Sequence, residues 1–162
     1  MVLKNRREAM LASAYQQNMT HYPLSEPNPE QTIWLVEDNP QDALLIKKSL
    51  QRTDATYRLT HLTRGDELLN RLMNSSTPDL IMLDLGLPGL NGFDTLEEIS
   101  KMSARIRSIP IVILTGYKDF DYIDRNFPLC IQGYWNKPCC SKQLKGLLLS
   151  TMATSRYEID IE

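Results

Sequence analysis

The chain has 162 residues, 42% hydrophobic and 23% charged, which suits one ordinary globular domain with surplus at its ends. A net charge of -2 argues against a general nucleic-acid-binding surface, and no apolar run is long enough to span a bilayer. The opening MVLKNRREAMLASAYQQ is basic but lacks the apolar block of a secretory signal, so a cytoplasmic location is expected.

Residues 1 to about 20 read as a short helix, because Leu11, Tyr15 and Met19 recur at helical spacing. HYPLSEPNPEQ, from His21 to Gln31, reads as a Pro-rich linker, so residues 1–30 are expected to be an extension. TIWLV, from Thr32 to Val36, is a short strand of buried type. Asn39 is a plausible N-cap and Pro40 a first helical residue for a helix whose apolar face is Ala43, Ile46 and Leu50, widened by Leu44 and Leu45. TYRLTHLT is a weaker strand, and GDELLNRLMN a helix with Leu68, Leu69, Leu72 and Met73 on one side. DLIML is the third strand, followed by GFDTLEEISKM, a helix burying Phe93, Leu96 and Ile99. IPIVILT, from Ile109 to Thr115, is the most hydrophobic strand, and YKDFDYIDRN a short helix after it. CIQGYWN is the fifth strand, and SKQLKGLLLSTM a final helix with Leu144, Leu147, Leu148 and Met152 inward. The tail 153–162, although Tyr157, Ile159 and Ile161 alternate, reads as frayed.

Five alternations of strand and helix with short connections predict an α/β fold: a doubly wound five-stranded parallel sheet with helices on both faces, over residues 31–152. In such a sheet, function gathers beyond the carboxyl ends of the strands. The first strand ends in Glu37 and Asp38, the third in Asp84, the fourth in Thr115, and the fifth near Lys137. Three acids brought that close need a cation to remain ionised. Lys137 supplies one positive charge. A small carboxylate site that keeps several waters suits Mg2+ for the rest. Each residue has a plainer reading: Glu37 and Asp38 as helix-capping acids, Asp84 as a turn residue, Thr115 as a strand end, Lys137 as a solvated side chain. Capping alone does not account for all five at strand ends.

The blocks LVEDNP, PDLIMLDLGLPGLNGFD, IPIVILTG and GYWNKP, in that order, resemble the receiver domain of response regulators of two-component systems, over about Gln31 to Met152. The resemblance implies a flavodoxin-like sheet of strand order 2-1-3-4-5. It implies Asp84 as phosphoacceptor, with Asp38, Asp84 and the backbone carbonyl of Gly86 on Mg2+ and Glu37 acting through a metal-bound water. Thr115 and Lys137 would bind phosphoryl oxygens, and Tyr134 would be the aromatic switch, its alternative being a half-buried strand residue. Pro88 and Gly92 would shape the loop after the acceptor, and Lys137-Pro138 is the family's usual pair. Gly86 and Tyr117 occupy positions that in that family tune loss of the phosphoryl group, and a bulky Tyr117 is expected to lengthen its lifetime.

Some features depart from the family pattern. Cys130-Ile131 replaces the frequent Gly-Ala. Asn126-Phe127-Pro128 should end the fourth helix early, since a residue before proline avoids helix and Asn tolerates a left-handed cap. That helix and the last strand form the family's usual signalling and dimer surface, so its geometry is open. Cys130, Cys139 and Cys140 read as reduced thiols, His21 and His61 lack zinc-ligand spacing, and Lys4, Arg6 and Arg7 as a solvated helix end.

No output domain is expected after residue 162, so the expectation is a stand-alone receiver that signals by protein–protein interaction or relays phosphate, similar to those serving bacteriophytochrome kinases. A sensor histidine kinase or histidine phosphotransfer protein would be the donor, with a downstream protein as target and homodimerisation left open. No nucleic-acid or membrane partner is expected. The alternatives are a receiver-shaped scaffold that takes no phosphate, and an aspartyl-phosphate phosphatase. Such phosphatases carry a second aspartate where this chain has Gly86, so no enzyme is expected.

Overall fold

The computed structural model describes residues 31–52, 57–116 and 120–137. The readings of an N-terminal helix, of the final helix with its leucines, of the C-terminal tail, and of Tyr117, Pro138, Cys139 and Cys140 lie outside the described residues. The elements run β1 (Gln31–Val36), α1 (Pro40–Gln51), β2 (Tyr57–Leu62), α2 (Gly65–Asn74), β3 (Leu80–Asp84), α3 (Gly92–Ser100), α4 (Ala104–Arg107), β4 (Ile111–Thr115), α5 (Phe120–Asn126) and β5 (Ile131–Asn136). The strands form one five-stranded sheet in the order β2-β1-β3-β4-β5, and every pair is parallel. This is the expected flavodoxin-like arrangement. Among the described residues no helix is long and apolar enough to cross a membrane.

Strand alternation sorts the core into two layers. Trp34, Val36, Ile81, Leu83, Ile111 and Ile113 face one side, where Leu68 and Leu72 of α2, Leu96 and Ile99 of α3, and Ile123 of α5 cover them. Ile33, Leu35, Leu80, Met82, Val112, Leu114 and Trp135 face the other side, against Ala43, Ile46 and Leu50 of α1. β1, β3 and β4 are apolar on both faces because both faces are covered.

α1 begins as its sequence implies. The Asn39 side chain accepts from the amides of Gln41 at 2.9 Å and Asp42 at 3.4 Å, and Pro40 follows it. Its apolar stripe is narrower than expected. Leu44 and Leu45 are 51% and 46% exposed. Each residue turns the helix about 100°, and the Ala43–Ile46–Leu50 line suffices to meet one flat sheet. Met73 on α2 is likewise turned out, at 65% exposed, because Leu68 and Leu72 define the buried line.

Two further differences concern boundaries. ARIR forms the one-turn helix α4, hidden from periodicity by its length, and β4 then starts at Ile111 rather than Ile109. α5 does stop at Asn126. However, no non-glycine residue among those described has a positive φ, so Asn126 is not a left-handed cap. Pro128 is then the remaining reason for the break, acting through the residue before it.

The loop after β3 is set by glycine and proline. Gly89 follows Pro88 and has φ +73, a conformation that L side chains rarely adopt. Gly92 opens α3 against the backbone of β3's exit: a Cβ there would lie 2.4 Å from Leu85 Cα and 2.6 Å from the Asp84 carbonyl oxygen. Both obstacles are main chain, so neither can swing aside. Gly92→Ala should therefore lower stability by about 1–3 kcal/mol, as overpacking does, with an earlier urea midpoint as the measurement. An unchanged midpoint would mean that the loop yields freely.

Candidate functional site

The sheet brings the predicted residues to its carboxyl edge. Glu37 and Asp38 are the first two residues past β1, and Asp84 closes β3. Ligand oxygens of these three carboxylates all lie within 4.8 Å of one another. Glu37 is fully buried, Asp84 is 5% exposed, and Asp38 is exposed. Lys137, the first residue after β5, reaches into this group. Its Nζ is 2.7 Å from Glu37 Oε2, 3.0 Å from Asp84 Oδ2 and 3.2 Å from Asp42 Oδ2.

Strand parity explains the convergence. Glu37 follows Ile33 and Leu35, Asp84 follows Leu80 and Met82, and Lys137 follows Trp135, so all three continue the face that packs on α1. Asp42 joins them from the first turn of α1. This residue escaped the reading of strand ends because it belongs to a helix. An acid in the first turn, just past the Asn39 cap, was the available signal.

Thr115 is buried at the end of β4, beside β3 in the sheet. It belongs by parity to the opposite face, that of Ile111 and Ile113. Tyr134 pairs in register with Ile113 and is half-buried against the same layer. Its hydroxyl donates to Asp124 of α5. The register between β4 and β5 shifts at Ile111/Val112, pairing Ile111 with Ile131 but Val112 with Gly133. This bulge passes over Gln132 and so places Tyr134 on the same face as Ile131, which unbroken alternation would not do.

The Asp84 carboxylate is held at both oxygens. Oδ1 accepts from the Gly86 amide at 3.1 Å, and Oδ2 faces Lys137. A Cβ at residue 86 would lie 3.4 Å from Oδ2 and 3.7 Å from Oδ1. A side chain at this position would stand directly against the carboxylate.

Charges are unbalanced here. Burial pushes the Glu37 carboxyl above its ordinary range, the Asp84 charge adds to this, and Lys137 partly offsets it. Burial pulls the Lys137 ammonium down, but its contacts with Glu37 and Asp84 outweigh that and hold it well above the ordinary lysine value. Glu37 Oε2 meets the Lys137 ammonium at 2.7 Å as a buried ion pair. One ammonium against four carboxylates leaves an excess of negative charge. Three carboxylates whose oxygens lie this close, with a surplus of negative charge, fit a hard divalent cation.

A family model for the response regulator receiver domain matches residues 33–148. The chain belongs to this family. The receiver is 36% identical to the probable methanogenesis regulatory protein FilR2 of Methanothrix harundinacea over 70% of this chain and 76% of that protein. It is 34% identical to response regulator Rcp1 of Synechocystis sp. over 75% of this chain and 84% of that protein. It superposes on the phosphorylated cyanobacterial phytochrome response regulator RcpA with a TM-score of 0.65 and 31% identity, covering 77% of this chain and 96% of that one. A solved Mn(2+)-bound form of response regulator Rcp1 gives a TM-score of 0.62 at 27% identity, covering 82% and 99%. The receiver is thus a phosphorylation-controlled signalling module with an acidic active-site cluster of Glu37, Asp38 and Asp84, and not a dedicated enzyme.

The raised carboxyl of Glu37 sets a pH dependence. The folded receiver holds that proton more tightly than the unfolded chain does. Stability from this group is therefore fullest below 4.5 and declines as pH rises from 4.5 through the higher folded value. In metal-free buffer, Glu37→Gln should flatten the fall in unfolding free energy over this window, as measured by urea titration at a series of pH values. Parallel curves for the two proteins would disprove the assignment.

Proposed function

We propose that Asp84 accepts a phosphoryl group from the phosphohistidine of a sensor histidine kinase or phosphotransfer protein. A carboxylate oxygen of Asp84 attacks phosphorus in line, the P–N bond breaks, and the histidine leaves with the electron pair as the acyl phosphate forms. The observation that carries this reading is the Asp84 carboxylate itself. It is oriented by the Gly86 amide, faced by the Lys137 ammonium at 3.0 Å, and met at residue 86 by a glycine that puts no side chain against it.

Asp38, Asp84 and the backbone carbonyl of Gly86 would hold Mg2+, with Glu37 acting through a water. The ion would supply charge neutralisation on the phosphoryl oxygens. Lys137 already stands beside the attacking group and would pair with a phosphoryl oxygen, and Thr115 would donate its hydroxyl to another. Arrival of a dianion next to Glu37, Asp42 and Asp84 gives Lys137 a stronger partner than any of them. Thr115 and Tyr134 share one face of β4 and β5, so a shift of Thr115 toward phosphate opens space on the face where Tyr134 lies. That would release Tyr134 from Asp124 and change the surface of α5 and β5, the surface we assign to a downstream protein or a second copy. The similarity to phytochrome response regulators favours a kinase of that class as donor. Gly86 and Tyr117 would tune the lifetime of the acyl phosphate, and residues 31–152 would make up the receiver with 1–30 and 153–162 as its extensions.

Incubation with acetyl phosphate and Mg2+, followed by intact mass, is the test. One phosphoryl group is expected on the receiver, none on Asp84→Asn, and none in EDTA. Turnover of acetyl phosphate without a trapped adduct would point to a phosphatase, and no reaction to a scaffold. Once formed, the adduct should decay roughly tenfold faster in Tyr117→Ala; rapid decay insensitive to that change would remove the shielding role of Tyr117.

A further inference from the structure

Besides its ion pair with Lys137, Glu37 is fastened at three points. Its Oε1 accepts from the Asn39 amide at 3.1 Å, its amide donates to the Leu62 carbonyl at 3.0 Å, and its carbonyl oxygen lies 2.8 Å from Nε2 of His61. The third contact replaces a sheet hydrogen bond with a side chain. Val36 and Leu62 are the last register pair between β1 and β2, so the Glu37 carbonyl has already left the ladder. That carbonyl belongs to the peptide joining Glu37 to Asp38. Its direction sets the plane between the two acids, and hence the directions in which both side chains leave the backbone.

The chemistry of the contact is one-sided. A carbonyl oxygen has no proton to give, so His61 Nε2 carries the hydrogen and donates it. The other ring nitrogen, Nδ1, is 3.1 Å from Nζ of Lys47 on α1. An ammonium has three hydrogens and no lone pair, so Nδ1 accepts. Both contacts demand the same neutral Nε2–H tautomer. By strand parity His61 follows Tyr57 and Leu59 onto the face of the sheet that packs on α1, which is why a helix lysine can reach it.

We propose that His61, held in its Nε2–H tautomer by Lys47, is a positioning residue of the active site. It fixes the Glu37–Asp38 peptide and thereby aims both carboxylates at the cation and at Asp84. The second half of this rests on the reading of the acidic cluster as a metal and phosphoryl site. The first half concerns the backbone alone. Partners that orient the groups around a metal typically govern about 10–100-fold of its affinity.

His61→Met and His61→Gln have similar length, but only glutamine keeps an N–H at the reach of Nε2. In the metal-free receiver, amide hydrogen exchange at Asp38 and Asn39 should be about tenfold faster in the Met variant and close to the parent in the Gln variant. Mg2+ affinity by calorimetry should fall about tenfold in the Met variant and recover in the Gln variant. Only one other histidine, His21, is present in the chain, so 15N spectra of the imidazoles can report the tautomer directly, and Lys47→Met should erode the Nε2–H form. Equal exchange in the Met and Gln variants, or an Nδ1–H ring in the parent, would overturn the proposal. If the parent took up no Mg2+ at all, the reading of the cluster and the aiming role would fall together, while the exchange comparison would still decide whether His61 fixes the peptide.

Discussion

Repulsion among Glu37, Asp38 and Asp84 is the constraint around which this receiver is built. A fully buried carboxylate beside a nearly buried one is costly in a protein interior. The fold meets that cost by bringing Lys137 from the far strand to within 3.0 Å of both buried acids. The compensation is incomplete, since Asp42 draws on the same ammonium. A site left with surplus negative charge is primed for a cation, and a lysine shared among several acids is primed to change partner when a stronger anion arrives. Under the proposed function, binding and switching then have one electrostatic origin.

Under the proposed function, the two-layer core would turn that local event into a surface change. Glu37, Asp84 and Lys137 lie by parity on the α1 face of the sheet, while Thr115 and Tyr134 lie by parity on the face covered by α2, α3 and α5. The ends of β3 and β4 are adjacent, so one strand spacing separates Asp84 from Thr115, and the proposed switch would cross it. From Thr115 the proposed path to Tyr134 would run along one face of β4 and β5 and end in the hydroxyl contact with Asp124. Packed elements of this kind move between discrete arrangements, which suits them to carry a signal.

Much of this was legible in residue order. Alternating apolar runs and amphipathic segments, together with the acids and the lysine at the ends of those runs, give the sheet, its helices and the charged edge. Where sequence reading went astray, the cause was geometric. Leu44, Leu45 and Met73 are apolar and lie on helices, but a flat sheet covers a stripe narrower than the hydrophobic set. α4 is too short to have a period. His61 looked unremarkable because it lacks metal-ligand spacing, whereas its importance lies in a contact with a main-chain carbonyl.

By itself, then, the sequence determined the parallel α/β architecture and the identity of the groups at its carboxyl edge. Periodicity and strand termini are local properties, and right-handed crossovers leave little freedom in how such units assemble. Only the tertiary structure decided which groups share Lys137, which face of β5 carries Tyr134, and what fastens Glu37. Those outcomes depend on a one-residue bulge at Gln132 and on approaches between residues far apart in the chain. A single added residue in a strand reverses the facing of everything beyond it; such an insertion leaves no mark on composition or period, and so it emerges only once the strands are paired.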